Sequence, residues 1–174
     1  MSFIVEDGTG LPDANSYASV EEADAHHGDS PNADAWEDVG GTPEKQRKLV
    51  AATRLLDTLF DWNGDVLHFE QALGFPRRGL LDPRGSRRLV RGVPRRIKTA
   101  AIDLALWIQD DATTAAATTE AVEEISLGPI GIKLAVPEQA AAVTRPLIPS
   151  TIIISLRDWG DYIGGGTGMG RLIR

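Results

Sequence analysis

The chain has 174 residues, 25 acidic against 18 basic, a formal net charge of −7 and no cysteine. That is the size of one domain, or of one domain with arms. The composition excludes disulfides, thiol nucleophiles and zinc–thiolate centres, and it argues against a general nucleic-acid-coating surface. No apolar run approaches the roughly 18 residues that cross a bilayer, and Met1 to Asp7 lacks the basic and apolar regions of a signal peptide. The expectation is a protein made in the cytoplasm, with no membrane partner.

Phe3-Ile4-Val5 is a β-prone run that meets the turn Asp7-Gly8-Thr9-Gly10. Ser19, with Glu22 three residues on, spells a capping box and predicts a helix over about 20–27. Residues 28–41 read as a loop that Trp36 anchors to the core. Thr42-Pro43, a hydroxyl followed by proline, starts a helix over about 43–61. Leu49, Ala52, Leu56, Leu59 and Phe60 give it one apolar face.

Residues 65–92 are rich in Gly, Pro and Arg, which predicts irregular structure with one helical turn around His68–Leu73. Pro94 opens a helix to about 110, with Ile97, Ala101, Leu104, Ala105 and Ile108 as its stripe. Alternation in Ile130-Gly131-Ile132-Lys133-Leu134 predicts a hairpin over about 122–135. Residues 150–158 hold the β-branched run Thr151 to Ile154, yet Pro149, Leu156 and Trp159 favour a short helix. Six glycines follow from Gly160, so 160–174 reads as a flexible arm with an apolar, basic tip. The fold class expected is mainly α: a small helical bundle over 1–159 with long loops, one β-hairpin and a C-terminal arm.

Charge is sorted along the chain. Residues 1–44 carry eleven acids and no Lys or Arg, whereas 77–98 carry nine bases against Asp82 alone. Two faces of opposite sign can steer identical copies together, or meet phosphate or an acidic partner. The plain alternative is two solvated surfaces of different sign.

Few residue clusters carry chemistry. Gly164 to Gly170 looks like the phosphate-cradling loop of tubulin-like GTPases, but four residues follow it and no GK[ST] is present. His26-His27 raises a metal, but neighbours on a helix point about 100° apart. A zinc ion would also need more ligands, and His68 is the only other histidine. Glu21-Glu22, Glu37-Asp38 and Glu123-Glu124 are sequence neighbours with nothing to split them into acid and base. No enzyme, metal or cofactor is expected.

The basic segment is the functional candidate: Arg77, Arg78, Arg84, Arg87, Arg88, Arg91, Arg95 and Arg96. Arginine favours bidentate pairing with carboxylate or phosphate. Only Phe69 and Phe75 lie near, which is thin for base stacking and better suited to a duplex backbone or an acidic protein surface.

Val5 to Tyr17, Ser19 to Asp24, Gln71-Ala72-Leu73-Gly74-Phe75-Pro76-Arg77, Val93-Pro94 and Ser126 to Ile130 together resemble a family of small proteins from tailed phages and prophages. That family carries two labels, DnaT-like single-stranded-DNA binding and head–tail connector. The connector label implies a virion structural protein of the neck. It would form a ring, usually of twelve, beneath the portal, with portal and tail or neck proteins as partners. Its basic loop would line the channel and meet packaged duplex, or grip an acidic portal surface. Tyr162, Met169, Arg171, Leu172, Ile173 and Arg174 would dock the arm on a neighbour. The basic loop is richer in arginine here, and the glycine tail longer, than the family pattern. The connector is the leading expectation, and a single-stranded-DNA-binding replication accessory is the alternative.

Overall fold

The computed structural model describes residues 2–82, 89, 91–108 and 148–164. In chain order these hold α1 (Val20–Gly28), α2 (Ala33–Glu37), α3 (Thr42–Leu59), β1 (Phe60–Trp62), β2 (Asp65–Val66), β3 (Arg77–Arg78), α4 (Arg95–Trp107), α5 (Ser150–Leu156) and β4 (Gly160–Tyr162). The protein is mainly α, as its periodicity requires.

The capping box at α1 is formed. Ser19 Oγ accepts from Glu22 N–H at 3.2 Å, and the Glu22 carboxylate accepts from Ser19 N–H at 3.0 Å. α3 starts one residue earlier than the Thr-Pro signal implies. Gly41 is the N-cap, and its carbonyl takes the N–H groups of Glu44 and Lys45, each at 3.1 Å. Trp36 does anchor its segment, at 2 % exposure, but from a short helix rather than a loop.

α3 packs on α4, and α4 packs on α5. Their facing stripes, Leu49, Ala52 and Leu56 against Ile97, Ala101, Leu104 and Ala105, are fully buried, and Ile152 and Leu156 close the far side. Each large aliphatic side chain so buried stabilises the fold by about 1.5–3 kcal/mol.

Two antiparallel pairs flank the helices. β1 pairs β4 with Asp61 opposite Asp161, and β2 pairs β3 with Val66 opposite Arg77. Both correct the sequence reading. Residues 65–78 contain a ladder where irregular chain was expected. Gly160–Tyr162, read as the root of a flexible arm, is a strand locked by Asn63 N–H to Trp159 O at 2.9 Å and Ile163 N–H to Leu59 O at 2.8 Å. The hairpin expected over 122–135 lies outside the described residues, as do the arm residues beyond Gly164.

Candidate nucleic-acid interface

The N-terminal turn is built around Glu6. This carboxylate, 1 % exposed, accepts the N–H groups of Gly8 and Gly10 at 2.8 Å each and of Leu11 at 2.9 Å. Both glycines have positive φ, +97° and +83°. A Cβ on Gly8 would come within 3.0 Å of Gly92, and one on Gly10 within 2.9 Å of His68. The turn therefore sits between the segment carrying His68 and Phe69 and the segment carrying Arg91 and Gly92.

A second scaffold lies beneath. Asp57 of α3 accepts from Tyr17 O–H at 2.5 Å, from Trp62 Nε1–H at 2.9 Å and from Gly74 N–H at 2.9 Å. The Tyr17 hydroxyl in turn accepts from Phe75 N–H at 3.1 Å. Burial pushes the Asp57 carboxyl up, against those bonds, which favour its ionised form. Burial and the neighbouring Asp57 push the Tyr17 phenol well above its ordinary range. Gln71 completes the scaffold. Its Oε1 accepts from His68 N–H at 3.0 Å, and its amide donates to Leu73 O at 2.7 Å and Pro76 O at 3.1 Å. The motifs Val5 to Tyr17 and Gln71 to Arg77 are thus mainly scaffold.

Phe69 stands on this scaffold with its side chain in water, at 99 % exposure. It is the fully exposed aromatic ring among the described residues, because Phe75, the other nearby candidate, is buried against Tyr17 and Trp62. β3 brings Arg77 and Arg78 alongside the same β2 segment. The two arginines have different fates. The Arg77 guanidinium is half-buried and donates to Trp62 O at 2.7 Å, to Gly74 O at 3.0 Å and to Gly64 O. It is a strut and is withdrawn from any interface. Arg78 is exposed.

Beyond β3, Leu81 and Leu89 form an antiparallel bridge. Arg84, Arg87 and Arg88 lie outside the described residues. Arg91 is exposed on its way to α4.

Arg95 and Arg96, both exposed, occupy the first turn of α4, which holds no acid. They line a shallow cleft of about 410 Å³ with Thr99, Asp103, Thr151 and Ser155. Cations at a helix N-terminus oppose the macrodipole, at a cost of about 0.3–1 kcal/mol each. An anion bound there receives both the guanidinium groups and the positive helix end.

Tyr162, expected to dock an arm, is half-buried in β4 with its ring 5.5 Å from Phe60. It belongs to the fold. Met169, Arg171, Leu172, Ile173 and Arg174 lie outside the described residues. Sequence reasoning missed the exposure of Phe69. Its signal was a large aromatic between His68 and Glu70, in a stretch with no apolar period to bury it.

No curated protein and no solved structure matches the chain. A family model matches residues 1–174, and its description names single-stranded-DNA binding. That description overturns the leading expectation of a head-to-tail adaptor, and with it the ring of twelve and the portal and tail partners. Sparse aromatics counted against the single-strand label in the sequence; among the described residues one ring, Phe69, stands fully in water. Over its whole given length the chain belongs to the family described as "Putative DnaT-like ssDNA binding protein".

Proposed function

We propose that the protein binds single-stranded DNA as a replication accessory, without catalysing a chemical step. Phe69 offers a stacking face, and Arg78, Arg91, Arg95 and Arg96 offer cationic contacts to the backbone. The observation that carries this reading is the 99 % exposure of Phe69 on a segment fixed by Gln71 and the Glu6 turn. Leaving a phenyl ring in water forgoes burial worth about 1.5–3 kcal/mol, and base stacking on an aromatic ring returns about 1–3 kcal/mol per base. The strand reading also suits the net charge of −7, because the bases are concentrated in residues 77–98 and attraction acts only within about a Debye length.

Fluorescence anisotropy with a labelled oligothymidylate tests it. Phe69→Ala should weaken binding about tenfold, the lower part of the stacking range, with no change in unfolding midpoint. Binding by Phe69→Ala equal to that of the parent would remove the stacking role.

A further inference from the structure

We propose that His26, His27 and Asp103 form a binding site for one divalent transition-metal ion of the zinc class, clamping α1 to α4. One ring nitrogen of each histidine and one carboxylate oxygen of Asp103 lie within 4.8 Å of one another. The spacing argument against a shared ion fails here because both rings turn to consecutive residues of α4. His26 Nε2 is 2.8 Å from Asp103 Oδ1, and His27 Nε2 is 3.4 Å from Ile102 O. The two ring centroids are 5.1 Å apart.

A second observation is independent of the cluster. His27 is 1 % exposed, and its Nδ1 has no hydrogen-bond partner. A buried, unpartnered nitrogen costs about 1–3 kcal/mol. Coordination suits such a ring, since a ligating histidine characteristically donates its other N–H to a carbonyl or carboxylate. Ile102 O is placed for that bond.

The chemistry of the donors selects the ion. Two imidazoles and one carboxylate match zinc, nickel or copper rather than magnesium or calcium, which take oxygen. Three protein ligands leave a fourth position for water. Bond lengths of about 2.0–2.2 Å put tetrahedral ligand atoms about 3.3–3.6 Å apart, so His26 Nε2 and Asp103 Oδ1, at 2.8 Å, must part slightly while any wider pair, up to 4.8 Å, draws in. His26 and Asp103 have room to do so, with side chains 33 % and 44 % exposed. The ion takes the place of the hydrogen between His26 Nε2 and Asp103 Oδ1, so His26 would ligate as the tautomer that carries its hydrogen on Nδ1. The site lies in the last turn of α1, where the negative helix end favours a cation. Arg96 stands seven residues before Asp103 on α4, about 10 Å along the axis and near a Debye length away.

The test uses the tag-free chain, stripped by chelator and titrated with Co²⁺ and Zn²⁺ alone. Saturable uptake of one ion per chain is expected, with the visible absorption of four-coordinate cobalt. His26→Asn and Asp103→Asn should each weaken uptake by about tenfold or more. In the parent, Zn²⁺ should shift the imidazole proton signals of His26 and His27 and leave those of His68 in place. Unsaturable uptake, uptake unchanged in both His26→Asn and Asp103→Asn, or a shift confined to His68 would each overturn the assignment. The imidazole signals come from the parent chain, so the test stands even where a variant loses its helical circular-dichroism spectrum.

Discussion

Neighbouring arginines can do unlike work, and Arg77 and Arg78 show it. Arg77 spends its guanidinium on backbone carbonyls of the β1–β2 turn, whereas Arg78 faces water. Arg77→Ala should therefore lower stability by about 1.5–3 kcal/mol, the worth of charged hydrogen bonds. Arg78→Ala should leave stability within about 0.5 kcal/mol and weaken oligonucleotide binding instead. Urea unfolding and anisotropy on both variants separate the two roles. Asp57 makes a stronger case. Asp57→Ala strands the hydroxyl of Tyr17, the indole N–H of Trp62 and the N–H of Gly74 at once, and should cost about 3 kcal/mol or more by urea unfolding.

Glu22 supplies a pH signature at the same scale. Partial burial works to raise its carboxyl. The Lys98 ammonium at 2.7 Å and the Ser19 N–H outweigh that and hold it below the ordinary range. A lowered folded value means the unfolded chain binds more protons as pH falls through about 4.3. The stability Glu22 contributes is thus present above that pH and lost below it. The gap in melting temperature between the parent and Glu22→Gln should close between pH 6 and pH 3, and a gap that widens would contradict the sign. Neither the role of Arg77 nor that of Asp57 was legible in the sequence. Each depends on which partner the fold delivers, and composition treats Arg77 and Arg78 alike.

Elements were legible where a period or a cap marked them. The capping box, the two apolar stripes and Pro149 placed α1, α3, α4 and α5 to within a few residues. The β1–β4 pair escaped because two three-residue strands, far apart in sequence, show no alternation to read. Gly160 was taken as a sign of flexibility, but the fold needs it for space. A Cβ there would stand 2.7 Å from Asp61 O and 2.9 Å from the Trp62 ring. Gly160→Ala should cost about 1–3 kcal/mol and speed amide exchange at Ile163 and Asn63. At α4 the expectation inverts. Replacing Arg95 and Arg96 with Glu places acids where the dipole favours them, so the melting temperature should rise while oligonucleotide affinity falls. The proposed binding role gives a reason for a helix start that works against its own stability.

At the scale of the whole molecule, the sorting of charge was legible from the first reading, and its meaning was not. Eleven acids over 1–44 and nine bases over 77–98 fit a ring of identical copies as readily as a nucleic-acid surface. The family's description and the exposed Phe69 support the proposed strand reading over the ring. The structure adds how an acidic chain reconciles the two blocks. Glu6 is spent inside its own turn, and Glu22 is tied to Lys98, while Arg78, Arg91, Arg95 and Arg96 stay exposed.

The measurement that tests this account most directly is the affinity of the full chain for a single-stranded oligonucleotide and for the matching duplex, across a salt series. Preference for the single strand is predicted, with log affinity falling against log salt at a slope of roughly −3 or steeper. That slope follows if Arg78, Arg91, Arg95 and Arg96 each neutralise one phosphate. Equal or tighter binding to the duplex, or no binding to either at low salt, would contradict it.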